Sequence, residues 1–242
     1  MATTAGRHLA RTLRLATGAV LVVAVVAVPA SATISSRYDF EPVTPQRADQ
    51  LIRGSTVQLE AFGCNLQRRV GSAVAIAPGR LISNAHVVGG SRVVDVIADG
   101  YPTIVADPPT VAAPGGDLGM VTAPALGLPG VPVAVADPFV GSVVRLGGYP
   151  SAAPGQAGPG LVVEAVRVVD YLPGSAVGQP WPVMRLSGAA RPGMSGGPVL
   201  DQRGRLAGVV FGNELPTGDA LAIPASVLRR LLAARSFVPA GC

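Results

Sequence analysis

Arg191-Pro-Gly-Met-Ser-Gly-Gly-Pro-Val-Leu200 sets one serine, Ser195, between Gly193 and the pair Gly196-Gly197. A loop of this composition is tight and leaves its backbone accessible, so its amides can turn inward while the hydroxyl stands proud of the surface. The same string also fits a plain glycine-rich β-turn, and these ten residues leave both readings open. Further back, Leu81-Ile-Ser-Asn-Ala-His-Val-Val-Gly-Gly90 carries His86, after an apolar run and before a glycine pair. A lone histidine is as readily a structural residue as a base. Between the two lies Pro114-Gly-Gly-Asp-Leu-Gly-Met-Val121, in which Asp117 directly precedes an apolar run. Asp99 and Asp107 lie nearby as alternative carboxylates.

Around these segments, from Ser55 onward, the chain is a series of short runs rich in Val, Ile and Leu. They are Thr56–Ala61, Ala73–Ala77, Arg80–Ser83, Val93–Ala98, Gly119–Thr122, Val143–Leu146, Leu161–Val169, Val183–Leu186 and Leu206–Phe211. Gly, Pro and Asn clusters separate them, which predicts an all-β sandwich or barrel. The 31 glycines and 23 prolines supply the turns such a fold needs. Two helices are expected. Thr44-Pro45 is a cap residue followed by proline at a first helical position, which predicts a short helix over Pro45–Arg53. Pro224 to Arg235 puts Val227, Leu228, Leu231 and Leu232 on one face, with Arg229, Arg230 and Arg235 toward its C-terminal half. Pro150–Gly160 is expected to be a surface loop.

The N-terminus is an address. Arg7, Arg11 and Arg14 precede the apolar Leu15–Val28, and Ala30-Ser31-Ala32 supplies a small-x-small ending. This pattern predicts a secretory signal peptide over residues 1–32. The competing reading is an uncut membrane anchor, since Leu15 to Ser36 is uncharged and just long enough to span a bilayer. Residues 33–54 form a lead-in. Removing the three signal arginines brings the formal charge from +5 to +2. No basic block with interleaved aromatics remains, so the sequence offers no nucleic-acid surface.

The chain contains no lysine. That excludes a Ser–Lys dyad, a Schiff-base or pyridoxal enzyme and a phosphate-binding GK[ST] loop. His8 leaves with the signal, so one histidine remains and a zinc hydrolase site has too few visible ligands. No metal and no cofactor is expected. Cys64 and Cys242 are the two cysteines, and an even count in an exported chain favours one disulfide.

Asn84-Ala-His-Val-Val88, Pro114–Val121 and Pro192-Gly-Met-Ser-Gly-Gly-Pro-Val199 together resemble the chymotrypsin-like serine proteases, in their chain order of His, Asp, Ser. The resemblance covers Ser55 to Arg235 and is closest in wording to the bacterial HtrA and MarP-type branch, without a PDZ domain. It implies two six-stranded antiparallel β-barrels of the trypsin-like kind, at about 55–138 and 139–223, and a C-terminal helix at 224–235. It implies a secreted or envelope endopeptidase with His86 as base, Asp117 as its orienting carboxylate and Ser195 as nucleophile. The amides of Gly193 and Ser195 would form the oxyanion hole. Phe211 and Gly212 would border the primary pocket. Ala189 stands where trypsin-type enzymes hold an aspartate, so cleavage after small or medium apolar residues is expected.

Two departures matter. Digestive-type members carry an aspartate before the serine, paired with a newly cut amino terminus; here that residue is Met194, and no such activation sequence is present. Order in the oxyanion loop must therefore come from elsewhere, with Arg191-Pro192 as one candidate stiffener. A cysteine near the first strand with another at the terminus also resembles the MarP-type pattern, as a structural staple or as a redox-dependent switch. The expected partner is a protein or peptide substrate, with membrane contact only if the N-terminal segment stays uncut. Nothing sets an oligomeric state. The competing function is a non-catalytic homologue that binds peptides or envelope proteins in the retained cleft. An esterase of the α/β-hydrolase kind would place the serine before the histidine.

Overall fold

Thr44 opens the first helix, α1 (Pro45–Ser55). Its hydroxyl accepts a hydrogen bond from the Arg47 amide at 3.2 Å, and Pro45 fills a first-turn position that needs no amide partner. The helix buries Ala48 and Ile52. The computed structural model describes residues 41–240 except 66, 113, 114, 154, 157 and 216. The expected signal peptide, the first part of the lead-in and Cys242 lie outside the described residues.

Two sheets follow. The first is built from β1 (Thr56–Gly63), β2 (Arg68–Ala77), β3 (Arg80–Ser83), β4 (Ser91–Ile97), β5 (Ile104–Val105), β6 (Thr110–Ala112) and β7 (Gly119–Thr122). A four-residue helix, α2 (Ala85–Val88), interrupts it after β3. The second comprises β8 (Val143–Gly148), β9 (Val162–Leu172), β10 (Val183–Leu186), β11 (Pro198–Leu200), β12 (Leu206–Asn213) and β13 (Ala220–Pro224). It closes into a barrel in the order β10-β13-β12-β11-β8-β9. The C-terminal helix α3 (Ala225–Ala234) buries Ala225, Val227 and Leu228. The chain then returns to the first sheet as β14 (Phe237–Pro239), antiparallel to β6.

The mostly-β, two-sheet architecture expected from the sequence is present. Its first sheet, however, is a curled half-barrel of eight strands, ordered β14-β6-β7-β3-β2-β1-β4-β5, rather than a closed ring. Its two open edges are β5 and β14. β14 ends in Pro239, and a residue without an amide hydrogen cannot extend a ladder.

Three apolar clusters hold these layers. One fills the first sheet around Leu59, Leu81, Val88 and Val121. Another fills the closed barrel around Leu146, Met184, Leu186, Met194 and Val210. The third lies between them and joins Ile52 of α1, Ile82, Leu118, Trp181, Leu206, Ile223 and Leu228. The helices at both ends of the chain therefore stitch the two sheets together, and the candidate site lies where the sheets meet.

Candidate active site

His86 is carried by α2, directly after β3. A helix leaves its first amides without intrahelical partners, and Asp117 supplies one. Asp117 Oδ1 accepts from the His86 amide at 2.9 Å, and Oδ2 lies 2.6 Å from His86 Nδ1. The imidazole side chain is 48% exposed while the carboxylate is 15% exposed, so the ring is held through Nδ1 by a largely buried group while about half of it stays open to solvent. Asn84 fixes the far side, donating from Nδ2 to the Asp117 carbonyl at 2.8 Å. Of the three candidate carboxylates, the one on His86 is thus Asp117, not Asp99 or Asp107. Its position follows from β7, which pairs Gly119 with Ser83 and so brings the residue before the strand alongside α2.

Ser195 lies in the β10–β11 connection. Its neighbours are pinned residue by residue. The Pro192 carbonyl accepts from the Ser151 amide at 2.7 Å, the Met194 carbonyl from the Gly197 amide at 2.9 Å and the Ser195 carbonyl from the Ser72 amide at 2.7 Å. The Gly193 carbonyl accepts from Ser72 Oγ at 2.8 Å. Met194 N–H donates to the Arg191 carbonyl at 3.0 Å and Gly196 N–H to the Val210 carbonyl at 2.8 Å. Among the described residues, the amides of Gly193 and Ser195 have no acceptor. In a trans peptide the C=O and N–H point in opposite directions. Fixing the Pro192 carbonyl toward Ser151 therefore turns the Gly193 N–H the other way.

Two glycines make this path possible. Gly193 has φ +89 and Gly196 φ +88. A Cβ at Gly196 would fall 1.9 Å from the Ser72 carbonyl oxygen, and one at Gly193 would fall 2.5 Å from Ser151 Oγ. Met194 is fully buried in the barrel core. An apolar anchor thus occupies the place where digestive-type members were expected to carry an ionic one. The Arg191 side chain reaches Glu164 at 2.8 Å, an exposed pair of the kind that contributes little. No hydrogen bond joins Ser195 Oγ to His86 among the described residues. In hydrolases at rest that contact is often long and tightens around substrate.

The expected pocket residues lie on two segments, Ala189 ahead of the serine loop and Phe211 and Gly212 on β12. Ala189 is exposed, Phe211 is half-buried against the inter-sheet cluster, and Gly212 faces open space on a bulged part of β12. Asn213 is a site residue that sequence reasoning missed. It accepts from the Ala190 amide through Oδ1 and donates to the Ala190 carbonyl through Nδ2, both at 2.8 Å, and so ties β12 to the segment before Ser195. Beyond it, Arg185 pairs with Asp170 and Glu214, each at 2.8 Å. The hydrogen bond from Arg185, then one from Thr217, holds the Glu214 carboxyl below its ordinary range. Burial, with Asp99 adding, pushes the Tyr149 phenol up to about 12, so it stays protonated, 3.4 Å from the Thr56 carbonyl.

Cys64 closes β1, its sulfur 3.4 Å from the Gly90 carbonyl. The Gly90 amide donates to the Ala240 carbonyl, which brings the tail to this corner two residues before Cys242. No group of His, Cys, Asp and Glu that could hold a metal ion occurs among the described residues. No helix among them is long and apolar enough to cross a membrane.

Residues 71–209 match the trypsin-like peptidase domain family. The chain belongs to that family. It is 34% identical over 167 residues to the serine protease Rv3671c of Mycobacterium tuberculosis strain H37Rv, and equally to serine protease MT3772 of strain CDC 1551. Each match takes in 65% of the chain but 40% of the relative, so the chain spans less than half the length of those proteins. Among solved structures, the active form of the Rv3671c protease superposes with a TM-score of 0.66 at 26% identity, over 80% of this chain and 87% of that one. The HtrA-type protease AlgW with a tripeptide superposes at 0.68 with 22% identity, over 79% and 63%, a likeness of fold.

Proposed function

We propose that the chain is an exported serine endopeptidase with His86, Asp117 and Ser195 as its triad. The observation that carries this reading is the 2.6 Å contact between His86 Nδ1 and Asp117 Oδ2, in a chain of this family. Asp117 accepts a hydrogen bond from Nδ1–H, which keeps the proton on that nitrogen and leaves the Nε2 lone pair free to act as base. Nε2 takes the Ser195 proton as Oγ attacks a peptide carbonyl, and returns it to the leaving amine. The amides of Gly193 and Ser195 accommodate the oxyanion; one such donor is typically worth about 3 kcal/mol. Water then repeats the sequence on the acyl-enzyme and releases the acid.

Ala189 brings no charge to the pocket, which favours small or medium apolar side chains before the cut bond. Residues 1–32 direct export, and Cys64 with Cys242 forms one long-range disulfide. Incubation of the purified protein with a peptide library tests this reading. The expected result is cleavage after residues such as Ala or Val, abolished in Ser195→Ala. Cleavage after Arg or Lys would contradict the pocket assignment. No cleavage at all would favour a non-catalytic peptide-binding homologue.

A further inference from the structure

The four hydrogen bonds of Ser72 converge from three segments that are far apart in sequence. Its hydroxyl donates to the Gly193 carbonyl at 2.8 Å and accepts from the Tyr149 amide at 2.8 Å. Its amide donates to the Ser195 carbonyl at 2.7 Å. Its carbonyl accepts from Ser83 Oγ at 2.6 Å, three residues before His86. Ser72 and Ser83 are fully buried, and Ser72 sits in β2 of the first sheet while Gly193 and Ser195 lie in a connection between two strands of the second.

We propose that Ser72 is a positioning residue whose hydroxyl holds the oxyanion loop in its donor-out state. This deepens the protease reading above and rests on it. The Gly193 carbonyl, if released, could rotate toward the cleft; the coupled rotation of the neighbouring peptide would then turn the Gly193 N–H away from it. In the observed arrangement the hydroxyl saturates both its partners. Its proton goes to Gly193, its lone pair to Tyr149, and the same residue's amide holds the nucleophile's own carbonyl. The Met194 side chain anchors the loop in the apolar core, while the Met194 amide on the Arg191 carbonyl and the Ser72 hydroxyl on the Gly193 carbonyl hold the Gly193–Met194 peptide from its two ends. Ser72 thus holds the carbonyl that follows the Gly193 amide and the Ser151 amide holds the one that precedes it. Ser72 touches neither the substrate nor the reacting atoms, and acts through Gly193 and Ser195.

The test separates the aim of the loop from its existence. Ser72→Ala removes the hydroxyl, while the pair Ser72→Thr and Ser72→Val compares the presence and absence of a hydroxyl at equal volume. On a peptide amide substrate, Ser72→Ala and Ser72→Val are expected to lower kcat by about ten- to a hundred-fold, with KM within threefold of wild type. That range lies below the direct loss of an oxyanion donor. Affinity for a peptide boronic acid, which forms a tetrahedral adduct on Ser195, should fall by the same factor. Ser72→Thr should recover most of both. Equal kcat and equal boronate affinity in the Thr and Val variants, beside an active wild type, would overturn the proposal while leaving the protease reading intact. A wild-type protein that neither turns over peptides nor binds the boronate would overturn both.

Discussion

Asp117 holds His86 at two points, through the ring at 2.6 Å and through the backbone amide at 2.9 Å. The second bond anchors the first turn of α2, so the carboxylate that orients the imidazole also fixes the segment carrying it. Position and tautomer of the base are set by one side chain. The Asn84 amide on the Asp117 carbonyl at 2.8 Å closes the arrangement from behind.

Asp117→Asn separates these two roles. The amide oxygen can still accept from the His86 backbone, while the amide nitrogen favours the wrong ring tautomer. The expected loss in kcat is about a thousand- to ten-thousand-fold, with the melting temperature nearly unchanged. Stopped-assay kinetics and calorimetry on the same preparation check both.

Gly196→Ala acts through sterics. The new Cβ would fall 1.9 Å from the Ser72 carbonyl and 2.4 Å from Ser83 Oγ, at φ +88. Backbone is one of the colliding partners, so relief requires the loop to move. Destabilisation of about 3 kcal/mol is expected from urea unfolding, together with loss of activity below that of Ser72→Ala.

Glu214 gives the fold an acid-sensitive element. The hydrogen bond from Arg185 depresses its folded-state pKa. A depressed carboxyl contributes stability that is complete above its unfolded value, about 4.3, and lost as pH falls through the lower folded value. Unfolding free energies measured from pH 7 down to pH 3 should therefore show a smaller acid-side decline in Glu214→Gln than in wild type. Parallel curves would contradict the assignment.

Cys64→Ser tests the expected bridge to Cys242. The closed loop would be 178 residues long, worth at most about 4–5 kcal/mol in the chain-entropy account. A lower melting temperature is expected, matched by wild type under reductant. A variant that melts with oxidised wild type would remove the bridge from the account.

The parts of the fold legible in the sequence are those whose signal is local. Thr56–Gly63, Arg80–Ser83, Gly119–Thr122 and Val183–Leu186 are apolar runs bounded by turn residues, and each is a strand. The Pro45 and Pro224 helices announce themselves by capping and by face. β13 was not legible, because Ala220–Pro224 is buried throughout and shows no alternation. Nor was β14, three residues ending in proline, which becomes a strand because β6 offers it an edge. The same divide runs through the site. His86, Asp117 and Ser195 stand in recognisable strings. Ser72, Asn84 and Asn213 look like ordinary polar residues until their partners arrive, from as far as 121 residues away for Ser72 and Gly193.

Labelling with a fluorophosphonate probe tests the central claim most directly, since the probe reacts with a serine only where a base and an oxyanion hole already act on it. The account predicts that wild-type protein is labelled at Ser195 alone and that Ser195→Ala and His86→Ala are not. Folded wild-type protein that takes no label, or takes it equally in Ser195→Ala, would contradict it.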